Sequence, residues 1–334
     1  MKVLLTGGFG NIGQHTIHEL LKKGHQVRCL DLDTTANRQK ARKLKGQVET
    51  VWADVSSRAD VEAAVRGQDA VIHMAWIIDL GWSEAHPEEA RKVNVGGTIN
   101  IIEAMKAGLS QGRKLIFISS VGVFGGTQHL PPPRKASDPV NPDIVYARQK
   151  TECEELVKKF GLDWCILRPT LAIPIKAERG DFDRLYSLFD FPLDARIDFV
   201  DPRDVALAIA NSLTSSEAAQ RILLIGGGSR NQMLWRDYFR IGLGYLGRFP
   251  EEAFAPPSTN PPIDWADTTE SQRILNYQNH TLQDFVKEQQ AAMGLGRHLV
   301  PLFAPLVRRQ VLKQSRYYNA NKQRAAHRAA GNAT

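Results

Sequence analysis

The chain has 334 residues, with 43 Lys+Arg against 36 Asp+Glu, a formal charge of +7, 43% hydrophobic residues and 24% charged ones. That length and balance fit a folded chain with a substantial core of one large or two smaller domains, and they exclude a disulfide-stapled miniprotein, a collagen-like repeat and wholesale disorder. After Glu288 no acidic residue occurs, whereas Arg297, Arg308, Arg309, Lys313, Arg316, Lys322, Arg324 and Arg328 all do, so the rest of the chain is close to neutral and its basicity is no argument for a nucleic-acid partner.

Cys29, Cys153 and Cys165 are odd in number and far apart, with no CxxC and no neighbouring His pair. Neither a disulfide framework nor a metal site is indicated, and a reducing, cytoplasmic setting is expected. The first apolar run passes straight into a glycine-rich turn, so no signal peptide is expected. No apolar run approaches the roughly 18 residues that span a bilayer.

In chain order, KVLLT (2–6) reads as a strand ending in glycines, followed by a helix around Ile12, Ile17, Leu20 and Leu21. The same alternation continues with strands at 26–32, 48–55 and 69–76, and a short helix at 60–65. A helix from about 87 to 107, a strand at 114–121, a helix from about 143 to 160 and a strand at 164–169 complete the regular part. Continuously apolar strands alternating with amphipathic helices predict an α/β fold, a Rossmann-type doubly wound parallel sheet covered on both faces. Beyond Thr170 the regularity weakens. A strand-like IDFVD (197–201), a helix led by Asp204, a core strand RILLIGG (221–227), a helix over 234–246, a proline-rich loop at 250–262 and a helix near 281–290 are expected. The predicted division is a dinucleotide-binding Rossmann domain from 1–169 and 198–227, a smaller C-terminal substrate lobe from 170–197 and 228–290, and a basic extension at 291–334.

Gly7, Gly10 and Gly13 lie between the first strand and the first helix within TGGFGNIG (6–13). Glycines there let the backbone turn tightly and approach a pyrophosphate, whose charge the helix N-terminus then holds. A tight β–α turn alone would use the same residues, but the position directly after the first strand favours a dinucleotide. Asp31, 18 residues after Gly13 at the end of the second strand, is placed to accept from the adenosine ribose hydroxyls and would repel a 2′-phosphate. NAD is favoured on that ground. Asp33 competes for the role, and Arg38 nearby leaves NADP open as the alternative. Tyr146 and Lys150 stand at i and i+4 on one helix face, where a neighbouring ammonium would favour the phenolate and let the phenol act as an acid/base.

With these residues in view, the sequence resembles the extended short-chain dehydrogenase/reductase family, also called the NAD-dependent epimerase/dehydratase family, from Lys2 to about Gln290. The motifs that carry the likeness are TGGFGNIG (6–13), Asp31, Asp54-Val55, His73-Met74-Ala75, the N-x-x-G-T-x-N helix at Asn94–Asn100, and Ser119-Ser120 followed by Phe124-Gly125. Tyr146 with Lys150, Arg168-Pro169, and Val200 with Asp204-Val205-Ala206 complete the series. The resemblance implies that Ser120 hydrogen-bonds the reacting oxygen, Tyr146 is the acid/base and Lys150 holds the ribose and tunes Tyr146. It implies cofactor contacts from Gly7, Phe9, Gly10, Asn11, Ile12, Gly13, Asp31, Asp54, Val55, Met74, Ala75, Asn94, Ser119 and Pro169, besides Tyr146 and Lys150. Ser119 is the alternative serine, though more simply a main-chain contact to the cofactor, Asn94 is more simply explained as structural, and His73 is expected to support its turn without moving protons. A homodimer through the helices at 87–107 and 143–160 is a further family expectation.

Arg168-Pro169-Thr170-Leu171-Ala172-Ile173-Pro174 departs from the family's sugar-nucleotide pattern, and only 30 residues separate Pro169 from Val200. Trp76, Ile78, Trp82, Phe124, Thr170 and Tyr186 are candidate substrate contacts, joined by Ile77, Leu80, Phe182, Phe189 and Phe191 as an apolar wall, although such aromatics also serve as lobe core. The expected activity is NAD-linked hydride transfer to or from a carbonyl or secondary alcohol of a small, fairly apolar substrate. A sugar-nucleotide epimerase or dehydratase with tightly bound NAD is the alternative, and a redox-inactive dinucleotide sensor or scaffold is the alternative of another class. In the extension, Leu302, Phe303, Leu306, Val307 and Val311 recur at helical spacing beside basic residues, interrupted by Pro301 and Pro305. A peripheral membrane or subunit contact is one expectation, and a solvated, partly disordered end is the other.

Overall fold

In the central strands, side chains on both faces meet apolar partners, which is why those strands read as apolar runs. The computed structural model describes residues 1–44, 46–108, 114–161, 163–173, 187–292, 294, 296–313 and 315–318. Its strands are β1 (Lys2–Thr6), β2 (Gln26–Asp31), β3 (Val48–Trp52), β4 (Ala70–His73), β5 (Lys114–Ile118), β6 (Asp163–Pro169), β7 (Arg196–Asp198), β8 (Arg221–Ile225) and β9 (Gln232–Leu234). Seven of them form one sheet in the order β3-β2-β1-β4-β5-β6-β8, and every pairing in it is parallel. The order reverses between β1 and β4, which puts a crevice at the carboxyl ends of those strands.

The helices are α1 (Asn11–Lys22), α2 (Thr35–Lys43), α3 (Arg58–Val65), α4 (Leu80–Ala85), α5 (Pro87–Lys106), α6 (Val145–Lys158), α7 (Pro202–Thr214), α8 (Trp235–Leu243), α9 (Thr269–Leu275), α10 (Leu282–Ala292) and α11 (Gly296–Leu312). On one face of the sheet Val3, Leu5, Ile72 and Ile116 pack with Ile17 and Leu20 of α1 and Val205 and Ile209 of α7. On the other, Leu4, Val71, Leu115 and Phe117 pack with α3, α5 and α6 through Val61, Val95, Ile101 and Val157. Each large side chain fully buried in this way contributes about 1.5–3 kcal/mol, which fixes the register of the layers.

The smaller lobe has its own core. Trp235, Phe239, Phe254 and Phe285 pack with Phe189 and Phe199, and β7 pairs with β9 in an antiparallel two-stranded sheet. The strand expected at Ile197–Asp201 is therefore shorter and belongs to this small sheet rather than to the large one. Asp198 ties the two sheets together. Its carboxylate, 1% exposed, accepts from the Gly227 amide (2.8 Å), beyond β8, and from Gln232 Nε2 (3.1 Å) in β9.

Residues expected to trail off as a solvated extension are in part packed. Helix α11 runs through Pro301 and Pro305, Val311 and Leu312 lie against the lobe core, Ser315 Oγ donates to the Ala253 carbonyl, and Arg316 pairs with Asp190 at 3.0 Å. The remainder of the extension, from 319, lies outside the described residues.

Candidate active site

The glycine turn and the Tyr146–Lys150 pair converge on the carboxyl ends of β1, β4 and β5. Gly7 has φ +71°, a conformation that disfavours a side chain, and a Cβ on it would sit 2.9 Å from the Ala75 backbone beyond β4. A Cβ on Gly13 would sit 2.4 Å from the Gly7 carbonyl oxygen, so α1 can begin this close to β1 only with glycine there. Gly10 caps α1 without a side-chain hydrogen bond, and the first turn carries no acidic residue. The amides of Asn11, Ile12 and Gly13, which have no intrahelical partner, thus face an anion-favouring end of the helix.

Asp31 closes this turn from β2. Its Oδ2 accepts from the Phe9 amide at 2.8 Å, and its Oδ1 accepts from the Leu32 amide at 2.8 Å and Asn37 Nδ2 at 3.1 Å. Burial raises its pKa, opposed by those amides and by Lys40. Phe9 itself turns inward, 1% exposed, against the Trp52 ring at 5.5 Å, and its amide is already given to Asp31. Asp33 pairs with Arg38 on the surface. Asp54 Oδ1 accepts from the Ser56 amide, and the Val55 carbonyl accepts from Asn100, so this loop is fastened to α5.

His73 is structural by proton counting. Thr98 donates its only hydroxyl proton to the Asn94 carbonyl (2.7 Å), so at 3.1 Å from His73 Nε2 it must accept. Nδ1 is then the bare nitrogen that accepts from the Thr6 hydroxyl at 2.8 Å, and Thr6 Oγ1 in turn accepts from the Met74 and Ala75 amides. Burial holds the ring neutral, with its pKa pushed down to about 3. Asn94 likewise works between elements: it accepts from the Ile77 amide and donates to Gln149 of α6.

Ser120 and Tyr146 meet across the end of β5. Ser120 Oγ accepts from the Gly122 amide at 3.1 Å, capping a short 3-10 turn. Burial pushes the Tyr146 phenol up to about 12, and hydrogen bonding with Ser120 acts in the opposite direction. Lys150, 3% exposed, donates to the Ile118 carbonyl at 2.6 Å, and its ammonium lies 3.4 Å from the Trp76 ring centroid against 5.8 Å from that of Tyr146. Burial pushes this ammonium down to about 7, opposed by Cys153 and Glu154. Burial is the main cause for both groups, and the ammonium turns towards the indole.

Ser119 lies one residue away and is differently engaged. Its amide donates to the Leu167 carbonyl at 2.7 Å and its hydroxyl to Glu154 Oε1 at 2.5 Å. Glu154 forms a two-pronged pair with Arg168 (2.8 and 2.6 Å), with side chains 2% and 3% exposed, and the guanidinium covers the Phe124 ring at 4.9 Å. Glu154 is a residue that sequence reasoning missed, although it falls four positions after Lys150 on the same helix face.

Among the candidate substrate contacts, Trp76 is the one brought to the catalytic pair, edge-on to Tyr146 with centroids 6.2 Å apart. Thr170, at the end of β6, is half-buried and its hydroxyl has no hydrogen-bond partner. Phe124, expected in the wall, is 3% exposed and packs with Val121, Val123 and Leu224, so it is core. Ile78 and Trp82 stand exposed, and Trp82 stacks on His86. Phe189 and Phe191 are lobe core, and Phe182 and Tyr186 lie outside the described residues.

Residues 3–226 match the model of the NAD dependent epimerase/dehydratase family. The chain belongs to that family. A UDP-glucose 4-epimerase of Yersinia enterocolitica is 34% identical over 170 residues, 48% of this chain and 49% of that one. The rat 3 beta-hydroxysteroid dehydrogenase type 7 is 35% identical over 126 residues, 36% of each. The chain spans about half the length, or less, of the first of the curated relatives it matches. Among solved structures, the Thermus thermophilus UDP-glucose 4-epimerase in complex with NAD superimposes with TM-score 0.71 at 24% identity, over 88% of this chain and 99% of that one. The Thermotoga maritima UDP-glucose 4-epimerase with UDP-glucose gives 0.73 at 19% identity, over 88% and 100%. These likenesses establish the Rossmann-like sheet with its C-terminal lobe.

Proposed function

We propose that the protein catalyses net hydride transfer between NAD and the carbonyl or secondary alcohol of a small, fairly apolar molecule. The observation that carries this reading is the aromatic flank of the catalytic pair. The Trp76 ring faces the Lys150 ammonium and stands against Tyr146, a surface suited to an apolar substrate.

The residues present fit the dinucleotide. The cradle at Gly7 and Gly13 would be filled by any Cβ, and the uncapped start of α1 presents amides to a pyrophosphate. Asp31 would accept from the adenosine ribose, which favours NAD over NADP, with Asp54 and Val55 beside the adenine. Met74, Ala75, Ser119 and Pro169 would border the nicotinamide end, and Lys150 its ribose. When bound, the nicotinamide supplies or accepts the hydride. The chain's own part is proton handling. Tyr146, held protonated, donates its hydroxyl proton to a carbonyl oxygen during reduction, and in the reverse direction the phenolate takes it back. Ser120 steadies the same oxygen by a hydrogen bond. The large sheet (1–169 with 198–227) holds the cofactor in this reading, and the lobe (170–197 with 228–290) closes over the substrate.

Sugar-nucleotide epimerisation is the second reading, favoured by the relatives named UDP-glucose 4-epimerase. By sequence, the curated relatives of that name match half of this chain or less, and the solved epimerases superimpose over 88% of it at 19–24% identity, a likeness of fold. An inactive sensor would have no use for the Tyr146–Lys150 pair. The purified chain, offered NAD or NADH with a panel of apolar ketones and secondary alcohols and, separately, UDP-hexoses, separates the readings. A stoichiometric change in reduced-nicotinamide absorbance with an apolar substrate is expected. Interconversion of UDP-hexoses without net change would replace this reading with the second.

A further inference from the structure

Helix α11 is committed to the lobe on one side only. Ala304 is 7% exposed, Val311 and Leu312 join the lobe core, and Arg308 donates to the Leu246 carbonyl. The opposite side carries Phe303 at 57% exposure, Leu306 at 67% and Val307 at 38%. At about 100° per residue, Arg309 and Lys313 fall on that same outward side, flanking Leu306, and both are exposed. No acidic residue follows Glu288, and the sequence beyond the described residues adds Lys322, Arg324 and Arg328.

We propose that this outward face of α11 docks on an anionic lipid surface, with Phe303, Leu306 and Val307 entering the acyl boundary and Arg309 and Lys313 meeting the headgroups. Charge complementarity selects the occupant. A two-fold contact between copies of this chain would set Arg309 and Lys313 against themselves, and like charges in one contact repel. The face is a convex helix side with projecting side chains rather than a groove, and apolar residues interleaved with cations on such a helix suit the plane of a membrane interface. The contact is peripheral, because no helix among the described residues is long and apolar enough to cross a bilayer. The lobe then faces the membrane and the large sheet stands away from it.

Co-sedimentation of the full chain with vesicles tests this. Pelleting is expected with phosphatidylcholine/phosphatidylserine vesicles but not with phosphatidylcholine alone, and it should weaken as salt rises. The double variant Phe303→Ser/Leu306→Ser should lose about tenfold or more of the partitioning while its unfolding midpoint stays that of the wild type, because both side chains project into solvent. Arg309→Gln/Lys313→Gln should bind less and with a flatter salt dependence. The proposal is overturned if the wild type stays in the supernatant with both vesicles, or if Phe303→Ser/Leu306→Ser pellets as well as the wild type, which would assign the binding to the basic end alone. A chain–chain contact replaces it if the wild type sediments as a dimer that the same variant dissociates.

Discussion

Lys150 is the residue whose surroundings cost the fold most visibly. An ammonium with one carbonyl partner, an indole face and almost no water keeps its proton only up to about pH 7, against the ordinary value of 10.5. Between those values the unfolded chain binds the extra proton, so stability rises with pH across the window and is lowest below it. Lys150→Met removes this dependence. The stability of the wild type relative to the variant, from denaturant titrations, is expected to climb between about pH 7 and pH 10. A flat difference would mean that Lys150 is solvated in the folded chain. The sequence places Lys150 beside Tyr146 without difficulty, since i and i+4 share a helix face. It does not show that Trp76, seventy-odd positions away, takes the ammonium, because that depends on how the loop after β4 folds back over α6.

At the scale of elements, the β1–α1 junction and the α6–β6 pairing set the site. Gly13→Ala would push a methyl group into the Gly7 carbonyl, so the turn must open. An NAD affinity at least about tenfold weaker, and stability lower by about 1–3 kcal/mol, are expected by calorimetric titration and chemical denaturation. Unchanged affinity would detach the turn from the cofactor. Glu154→Ala would leave Arg168 buried and unpaired, a loss of about 3–5 kcal/mol in unfolding free energy. A loss below about 1 kcal/mol would show that water replaces the carboxylate. The central strands of the large sheet were legible because both of their faces are apolar, as the alternation of Val3, Leu4 and Leu5 between two cores illustrates. Helix α2 escaped because it buries no residue and so shows no apolar stripe, and α4 and α9 are too short, at six and seven residues, to display one. Asp198 falls in the strand-like IDFVD, but the pattern does not show that this strand pairs with β9, a partner that only the tertiary structure brings alongside.

For the whole molecule, charge and chemistry separate. The near-neutral body carries the glycine turn and the Tyr146–Lys150 pair, and the basic residues gather at one end of the chain, where α11 joins the lobe and leaves an apolar and cationic face outward. The order of motifs along the chain made the family legible. The substrate was not, because aromatic residues after β4 and in the lobe serve as core as readily as lining: Phe124 and Phe189 are buried, Phe191 packs half-buried on the lobe core, and Trp76 alone of the proposed wall meets Tyr146 and Lys150 among the described residues. The central claim is that Tyr146 moves the proton that accompanies hydride transfer, and Tyr146→Phe tests it most directly, with turnover and NAD affinity measured on the same preparation. A fall in kcat of about 10²–10⁴-fold with NAD affinity unchanged is expected. Turnover at the wild-type rate with NAD still bound would contradict it.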